Sequence, residues 1–245
     1  MQNKINNEFI SILKCKDKNY ELFVNDLVCN KFGIAELFCK HFDELKSLNY
    51  INGYGLDVGC GVGPISIFLA DSGYKIDGIE INGIACNLMK KNIDKYGFNN
   101  SINIIRNDFS TYSFESKYNF IVTNPPLDVE ILDYKININD VLNSKISPKD
   151  FEYLTNSCKD KNNNDLLTNI FIKSNELLYD DSKIIVIFID LYKDIFDYII
   201  NLSNKFFYNI VYLIKDKIIL KDVGIPKDDF VDSYILVLEK NYQNQ

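Results

Sequence analysis

The chain has no tryptophan, one histidine and one arginine among its 245 residues. With a single histidine and no Cys-x-x-Cys pair among the six cysteines, the usual ligand sets of a zinc site are missing, so we predict no metal. Arg106 is the only arginine, so bidentate contacts to guanine or phosphate are nearly unavailable. Cysteines scattered over apolar positions favour a reducing compartment, and we predict a cytoplasmic protein.

Long hydrophobic runs are also missing. The longest apolar run, at 184–189 within the predicted strand 183–189, is far too short to span a bilayer and is typical of a buried central strand. The N-terminus is polar and has no apolar core of a secretory signal. We therefore expect no membrane segment. An apolar content of 47% supports a sizeable core, and the length allows one α/β domain with a small appendage.

The chain also has no basic arm at either end. Its net charge is −7, and residues 1–50 hold seven lysines against seven acidic residues, while residues 201–245 hold six of each. Proteins that grip long nucleic-acid duplexes usually carry a basic face. The charge therefore argues against a large duplex footprint, but it does not exclude RNA.

The first section of the chain, residues 1–48, is predicted to be a lead-in. Residues 9–24 predict a β-hairpin around a polar turn. A helix is predicted from about Gly33, because apolar side chains recur at helical spacing as far as Leu45. His41 lies on this stripe, and we interpret it as a packed or hydrogen-bonded residue rather than a catalytic one.

The second section, residues 49–245, alternates strands and helices. This alternation predicts an α/β, Rossmann-like fold whose parallel strands present ligands at their carboxyl ends. Residues 128–163 are polar with weak periodicity, and we interpret them as an insertion that shapes a substrate pocket. The predicted strands are 54–58, 74–80, 102–106, 118–123, 183–189, 206–214 and 231–239, and the predicted helices begin near 64, 83, 164 and 191.

The run DVGCGVGP reads as a buried strand, a glycine turn and the start of a helix. Gly59, Gly61 and Gly63 allow a ligand to approach the backbone closely, and Asp57 precedes them where an acid would meet an amino group. The dinucleotide fingerprint G-x-G-x-x-G needs a third glycine where Pro64 stands. The turn therefore predicts a cofactor site and disfavours a nicotinamide dinucleotide.

Two further acids follow the next two strands. Glu80 ends the second strand, where a carboxylate can accept both hydroxyl groups of a ribose; this would serve NAD and S-adenosylmethionine (SAM) alike. Asp108 follows the third strand, where it could accept the exocyclic amine of an adenine while Phe109 packs on the ring. Asp108 could equally cap a turn. Its alignment with the other acids favours the ligand interpretation.

The run Asn124-Pro125-Pro126-Leu127 follows the fourth strand. Two prolines fix an extended backbone and remove two hydrogen-bond donors. The Pro125 carbonyl and the Asn124 side-chain oxygen can then both accept hydrogen bonds from one NH₂ group. This arrangement predicts a site that binds the NH₂ group of a planar amine or amide.

Together these motifs resemble the class I SAM-dependent methyltransferases over roughly residues 53–240, and within them the "small methyltransferase domain" group. The resemblance implies SAM as cofactor and a mostly parallel seven-stranded sheet with an antiparallel last strand and helices on both faces. The lead-in is similar to that of tRNA adenine methyltransferases. The cofactor-binding residues that it implies are Asp57, Gly59, Cys60, Gly61, Gly63, Glu80, Ile81, Asp108, Phe109 and Asn124.

The Asn-Pro-Pro-aromatic motif of that group implies N-methylation of an exocyclic amine or amide, with Asn124, Pro125, Pro126 and Leu127 as the catalytic segment. Leu127 stands where the group carries an aromatic residue, and stacking of a base on such a residue contributes about 1–3 kcal/mol. Adenine in tRNA or rRNA is our first choice of substrate. A protein glutamine, a small-molecule amine, a nucleotide-binding oxidoreductase and a SAM-binding protein without catalysis are the alternatives.

Overall fold

The computed structural model describes residues 8–25, 28–29, 31–125, 166–190, 195–224 and 227–241. No described helix is long and apolar enough to cross a membrane. The strands are β1 (Phe9–Lys14), β2 (Asn19–Val24), β3 (Tyr54–Val58), β4 (Lys75–Glu80), β5 (Ile102–Arg106), β6 (Tyr118–Thr123), β7 (Leu178–Ile189), β8 (Tyr208–Ile219) and β9 (Phe230–Lys240). The helices are α1 (Gly33–Ser47), α2 (Pro64–Asp71), α3 (Gly83–Tyr96), α4 (Leu166–Leu177) and α5 (Ile195–Lys205), with a 3-10 turn at Leu220–Val223.

Strands β3 to β9 form one seven-stranded sheet in the order β5-β4-β3-β6-β7-β9-β8. Strands β3 to β7 run parallel, and β9 runs antiparallel to both of its neighbours, β7 and β8. This confirms the predicted α/β class and the antiparallel last strand. The chain order reverses between β3 and β6, and such a reversal opens a crevice at the carboxyl ends of the strands.

Successive side chains of the central strands point to opposite faces of the sheet. They belong to two separate hydrophobic clusters, one on each face. In β7, Ile185 and Ile187 belong to the cluster that includes α1, α2, α3 and the hairpin β1–β2. Ile184 and Val186 belong to the other cluster, which includes α4 and α5. A strand covered on both faces needs apolar residues at every position, which explains the unbroken apolar run of β7.

The last hairpin departs from the predicted boundaries. β8 continues to Ile219 rather than ending near 214, because it pairs with β9 from Tyr208 opposite Lys240 to Ile219 opposite Phe230. The polar residues of this edge strand made it resemble a loop, although Lys215 forms a cross-strand ion pair of 2.7 Å with Asp232. β7 also begins earlier, at 178. The predicted insertion at 128–163 lies outside the described residues.

The predicted hairpin, β1–β2, packs directly onto the main sheet's helical layer. The side chain of Asn92 on α3 is fully buried, and its Oδ1 accepts a hydrogen bond from the Phe23 N–H at 2.6 Å. Its Nδ2 donates to the carbonyls of Phe23, at 3.2 Å, and Val62, at 3.0 Å. One amide therefore joins the hairpin to the glycine turn. The division at residue 48 stays a prediction.

Replacing Asn92 should weaken the contact between the hairpin and the glycine turn and lower the stability of the protein. Asn92→Ala leaves the Phe23 N–H and the carbonyls of Phe23 and Val62 without this partner, so we expect a loss of about 2–3 kcal/mol in the free energy of unfolding. Urea unfolding monitored by circular dichroism measures it. Asn87→Ala, at an exposed position of the same helix, is the control and should change stability by less than about 0.5 kcal/mol. Equal effects of the two substitutions would contradict this role of Asn92.

Candidate functional site

The glycine turn lies where the sequence predicted it, between β3 and α2. Gly59, Gly61 and Gly63 have φ angles of 71°, 57° and 85°, in the left-handed region that side chains disfavour. The Gly59 N–H donates to the Ile79 carbonyl at 2.9 Å, so the turn is fixed to the neighbouring strand β4. A Cβ at Gly61 would meet no atom within 4 Å, which leaves open space for a ligand above this glycine.

Glu80 is half-buried at the end of β4, and both of its carboxylate oxygens accept backbone hydrogen bonds. Oε2 accepts from the Gly61 N–H at 2.9 Å, and Oε1 accepts from the Asn82 N–H at 2.8 Å. Burial raises the pKa of Glu80, and these hydrogen bonds oppose the shift. Ile81 follows and is half-buried. The structure thus places Glu80 against the glycine turn, while its contact with a ribose stays a prediction.

Asp57 is 2% exposed and lies one residue before the end of β3. The hydroxyl of Ser66, on the first turns of α2, donates to its Oδ2 at 2.6 Å. Burial raises the pKa of Asp57 to about 7; the Ser66 hydrogen bond opposes this shift and the nearby charge of Glu80 adds to it. Asp57 therefore changes its charge near neutral pH, and a cation beside it would favour the ionised form.

A cavity of about 130 Å³ opens beside this turn. Asp57, Gly59, Cys60 and Gly61 line it, and so does Asn124, which is exposed just beyond β6. The structure thus brings the predicted cofactor turn and the first residue of the Asn-Pro-Pro motif to one place. Pro125 is buried, whereas Pro126 and Leu127 lie outside the described residues. A further wall, which the sequence did not predict, comes from Cys29, Lys31, Phe32, Ile34 and Ala35.

Asp108 and Phe109 lie beyond the end of β5 and do not line this cavity. Asp108 caps a turn, because its Oδ1 accepts the Ser110 N–H at 2.8 Å. Phe109 is 4% exposed, so its ring offers little free surface for stacking on a base. Lys173 of α4 fixes the loop by donating to the carbonyls of Phe109, at 2.7 Å, and Tyr112, at 2.6 Å. Adenine binding by Asp108 and Phe109 stays a prediction.

His41 is hydrogen-bonded, as the sequence predicted: its Nε2 lies 3.0 Å from Oδ2 of Asp216 on β8. It does not line the cavity. Among the described residues, no group of three or more His, Cys, Asp or Glu side chains could hold a metal ion. Ser66 and Lys31 escaped prediction, since neither belongs to a recognisable motif; their only signal is proximity in sequence to Pro64 and to the start of α1.

Residues 34–144 match the family model of the methyltransferase small domain. A tRNA1(Val) (adenine(37)-N6)-methyltransferase of Parabacteroides distasonis is 39% identical over 80 residues, which are 31% of this chain and 34% of that protein. A protein of the same name from Aliivibrio fischeri is 36% identical over 73 residues, 29% of this chain and 31% of its own. The matched part thus spans about a third of the length of these relatives.

Solved structures share the fold over most of the chain. A Pyrococcus horikoshii protein proposed to be an RNA methyltransferase superposes with a TM-score of 0.58 at 16% identity, covering 95% of this chain and 93% of its own. A SAM-dependent methyltransferase of Methanosarcina mazei gives a TM-score of 0.53 at 16% identity, covering 80% and 97%. The chain thus contains a segment that matches the methyltransferase small domain, and it shares its fold with these solved structures.

Proposed function

We propose that this protein transfers a methyl group from SAM to the exocyclic amine of an adenine in RNA, either tRNA or rRNA. The observation that carries the proposal is the shared cavity: Asn124 lines the same space as Asp57 and the glycine turn. A group that binds a planar NH₂ thus lies beside the predicted cofactor position. The relatives named for tRNA adenine-N6 methylation support the choice of substrate.

The residues around the cavity fit the chemical groups of SAM. The open space above Gly61 suits close approach of a ligand, and the buried carboxylate of Asp57 suits an ammonium group. The Glu80 carboxylate, already fixed against the glycine turn, suits a ribose. When bound, SAM supplies a methyl group activated by a positively charged sulfur, and the protein supplies position.

Asn124 and Pro125 orient the accepting nitrogen in this proposal. Hydrogen bonds from the NH₂ group to the Asn124 side-chain oxygen and the Pro125 carbonyl turn the nitrogen lone pair away from these acceptors and toward the methyl group. The N–C bond would form as the C–S bond of SAM breaks, the neutral thioether would be the leaving group, and the proton of the methylated nitrogen would pass to solvent. A base in a duplex must be unpaired or flipped out to reach this position.

A glutamine side chain or a small-molecule amine is the second candidate. Glutamine offers an amide nitrogen and a small amine offers an amino nitrogen, and either could accept a methyl group as the amine of adenine would. The net charge of −7 and the single arginine favour a substrate that lacks phosphates. Leu127 favours it too, because an aliphatic side chain stacks less well on a base.

Removal of the Asn124 side chain should lower methyl transfer far more than it lowers the affinity for SAM. We expect Asn124→Ala to lower methyl transfer to RNA by a factor of about 100 or more, since one oriented acceptor is lost. Transfer of a radiolabelled methyl group measures activity, and calorimetry with SAM measures binding. Asn100→Ala, at an exposed position before the amino end of β5 and outside this cavity, is the control. Wild-type transfer by Asn124→Ala would exclude this mechanism.

The affinity for SAM should rise with pH between about 5.5 and 7.5. The pKa of Asp57 is raised to about 7, so the carboxyl group is largely protonated at the lower limit and ionised at the upper one. Only the ionised form attracts an ammonium group, so the Kd should fall with rising pH, by at most about tenfold per pH unit. Asp57→Asn should bind more weakly and lose this part of the pH dependence. If the Kd for SAM depended on pH in the same way in Asp57→Asn and in the unaltered protein, another group would be responsible for the pH dependence.

The modified nucleoside identifies the substrate class. Mass spectrometry of total RNA from cells with and without the protein should reveal one missing species, N6-methyladenosine. Filter binding at low salt should show affinity for RNA that weakens as salt increases. Unchanged RNA nucleosides together with no RNA affinity would favour the glutamine or small-molecule substrate.

A further inference from the structure

The segment before α1 brings a positive charge to the cavity. Among the described residues that line it, Lys31 is the only cation and Asp57 is the only carboxylate. Lys31 is exposed, and none of the ion pairs among the described residues includes it. The described lining of the cavity therefore has one positively and one negatively charged side chain, although the chain as a whole is acidic.

The first turn of α1 adds to the positive side. Phe32 is the N-cap residue and makes no side-chain cap hydrogen bond. The first helical hydrogen bond runs from the Glu36 N–H to the Phe32 carbonyl at 2.8 Å, and Ile34 of the same turn lines the cavity. Helix N-termini carry partial positive charge. The carboxylate of Glu36 is engaged elsewhere, since its Oε1 accepts the Lys14 N–H at 2.9 Å.

We propose that Lys31 binds the carboxylate of the amino-acid tail of SAM, while Asp57 faces its ammonium group. An α-amino acid carries both charges on one carbon, so it needs a cation and an anion in one small cavity, and Lys31 with Asp57 supplies this pair. The inference rests on the proposed function, because it assumes that SAM occupies this cavity. It assigns Lys31 to cofactor binding rather than to the RNA.

Two ligands that differ by one carboxylate test this role. Calorimetry compares SAM with decarboxylated SAM, which keeps the ammonium and sulfonium groups. We expect Lys31→Met to weaken SAM binding about five- to tenfold and to change the Kd of decarboxylated SAM by less than about twofold. Lys31→Arg should retain most of the affinity for SAM. Lys217→Met, an exposed lysine on β8 outside this cavity, is the control and should leave both Kd values unchanged.

Other results would overturn the assignment. Equal losses for both ligands would mean that Lys31 supports the cavity rather than the carboxylate. Unchanged SAM binding with weaker RNA binding would mean that Lys31 meets a phosphate. These outcomes leave the proposed function intact, whereas failure of the unaltered protein to bind SAM at all would contradict the proposed function itself.

Discussion

The Glu80 carboxylate joins the ends of two parallel strands by accepting one backbone N–H from each following turn, that of Gly61 after β3 and that of Asn82 after β4. The first bond sets the path of the glycine turn, and the second sets the start of α3. Charge-assisted hydrogen bonds of this kind are among the stronger ones in proteins. The cavity depends on this geometry, because the turn that Glu80 holds forms one of its sides.

Features that repeat at short range could be predicted from the sequence. The apolar run of β7 and the helical stripe of α1 follow from side-chain periodicity, which burial on two faces or on one face imposes. The strand, the glycine turn and Pro64 at the first position of α2 follow from backbone preferences, which act locally. The placement of acids near the carboxyl ends of successive strands follows from the parallel topology.

Features that depend on distant partners could not be predicted. The outer half of β8 is polar, and only its pairing with β9 makes it a strand. The burial of Phe109 results from packing against α4, which lies more than fifty residues later in the chain. Lys31 and Ser66 acquire their surroundings only when the lead-in and α2 fold onto the sheet. Each of these cases is a tertiary contact that overrides a weak or misleading local pattern.

The wall that Lys31 and Phe32 contribute to the cavity is held to the rest of the fold on both of its chain sides. Before it, Asn92 of α3 fixes β2. After it, α1 is bound to β8 by Lys40, which lies 2.6 Å from Asp216. Because both contacts join groups of the protein itself, part of the loss of conformational entropy in this wall accompanies folding. Ligand binding then starts from a restricted ensemble, and less of its free energy is spent on ordering the protein.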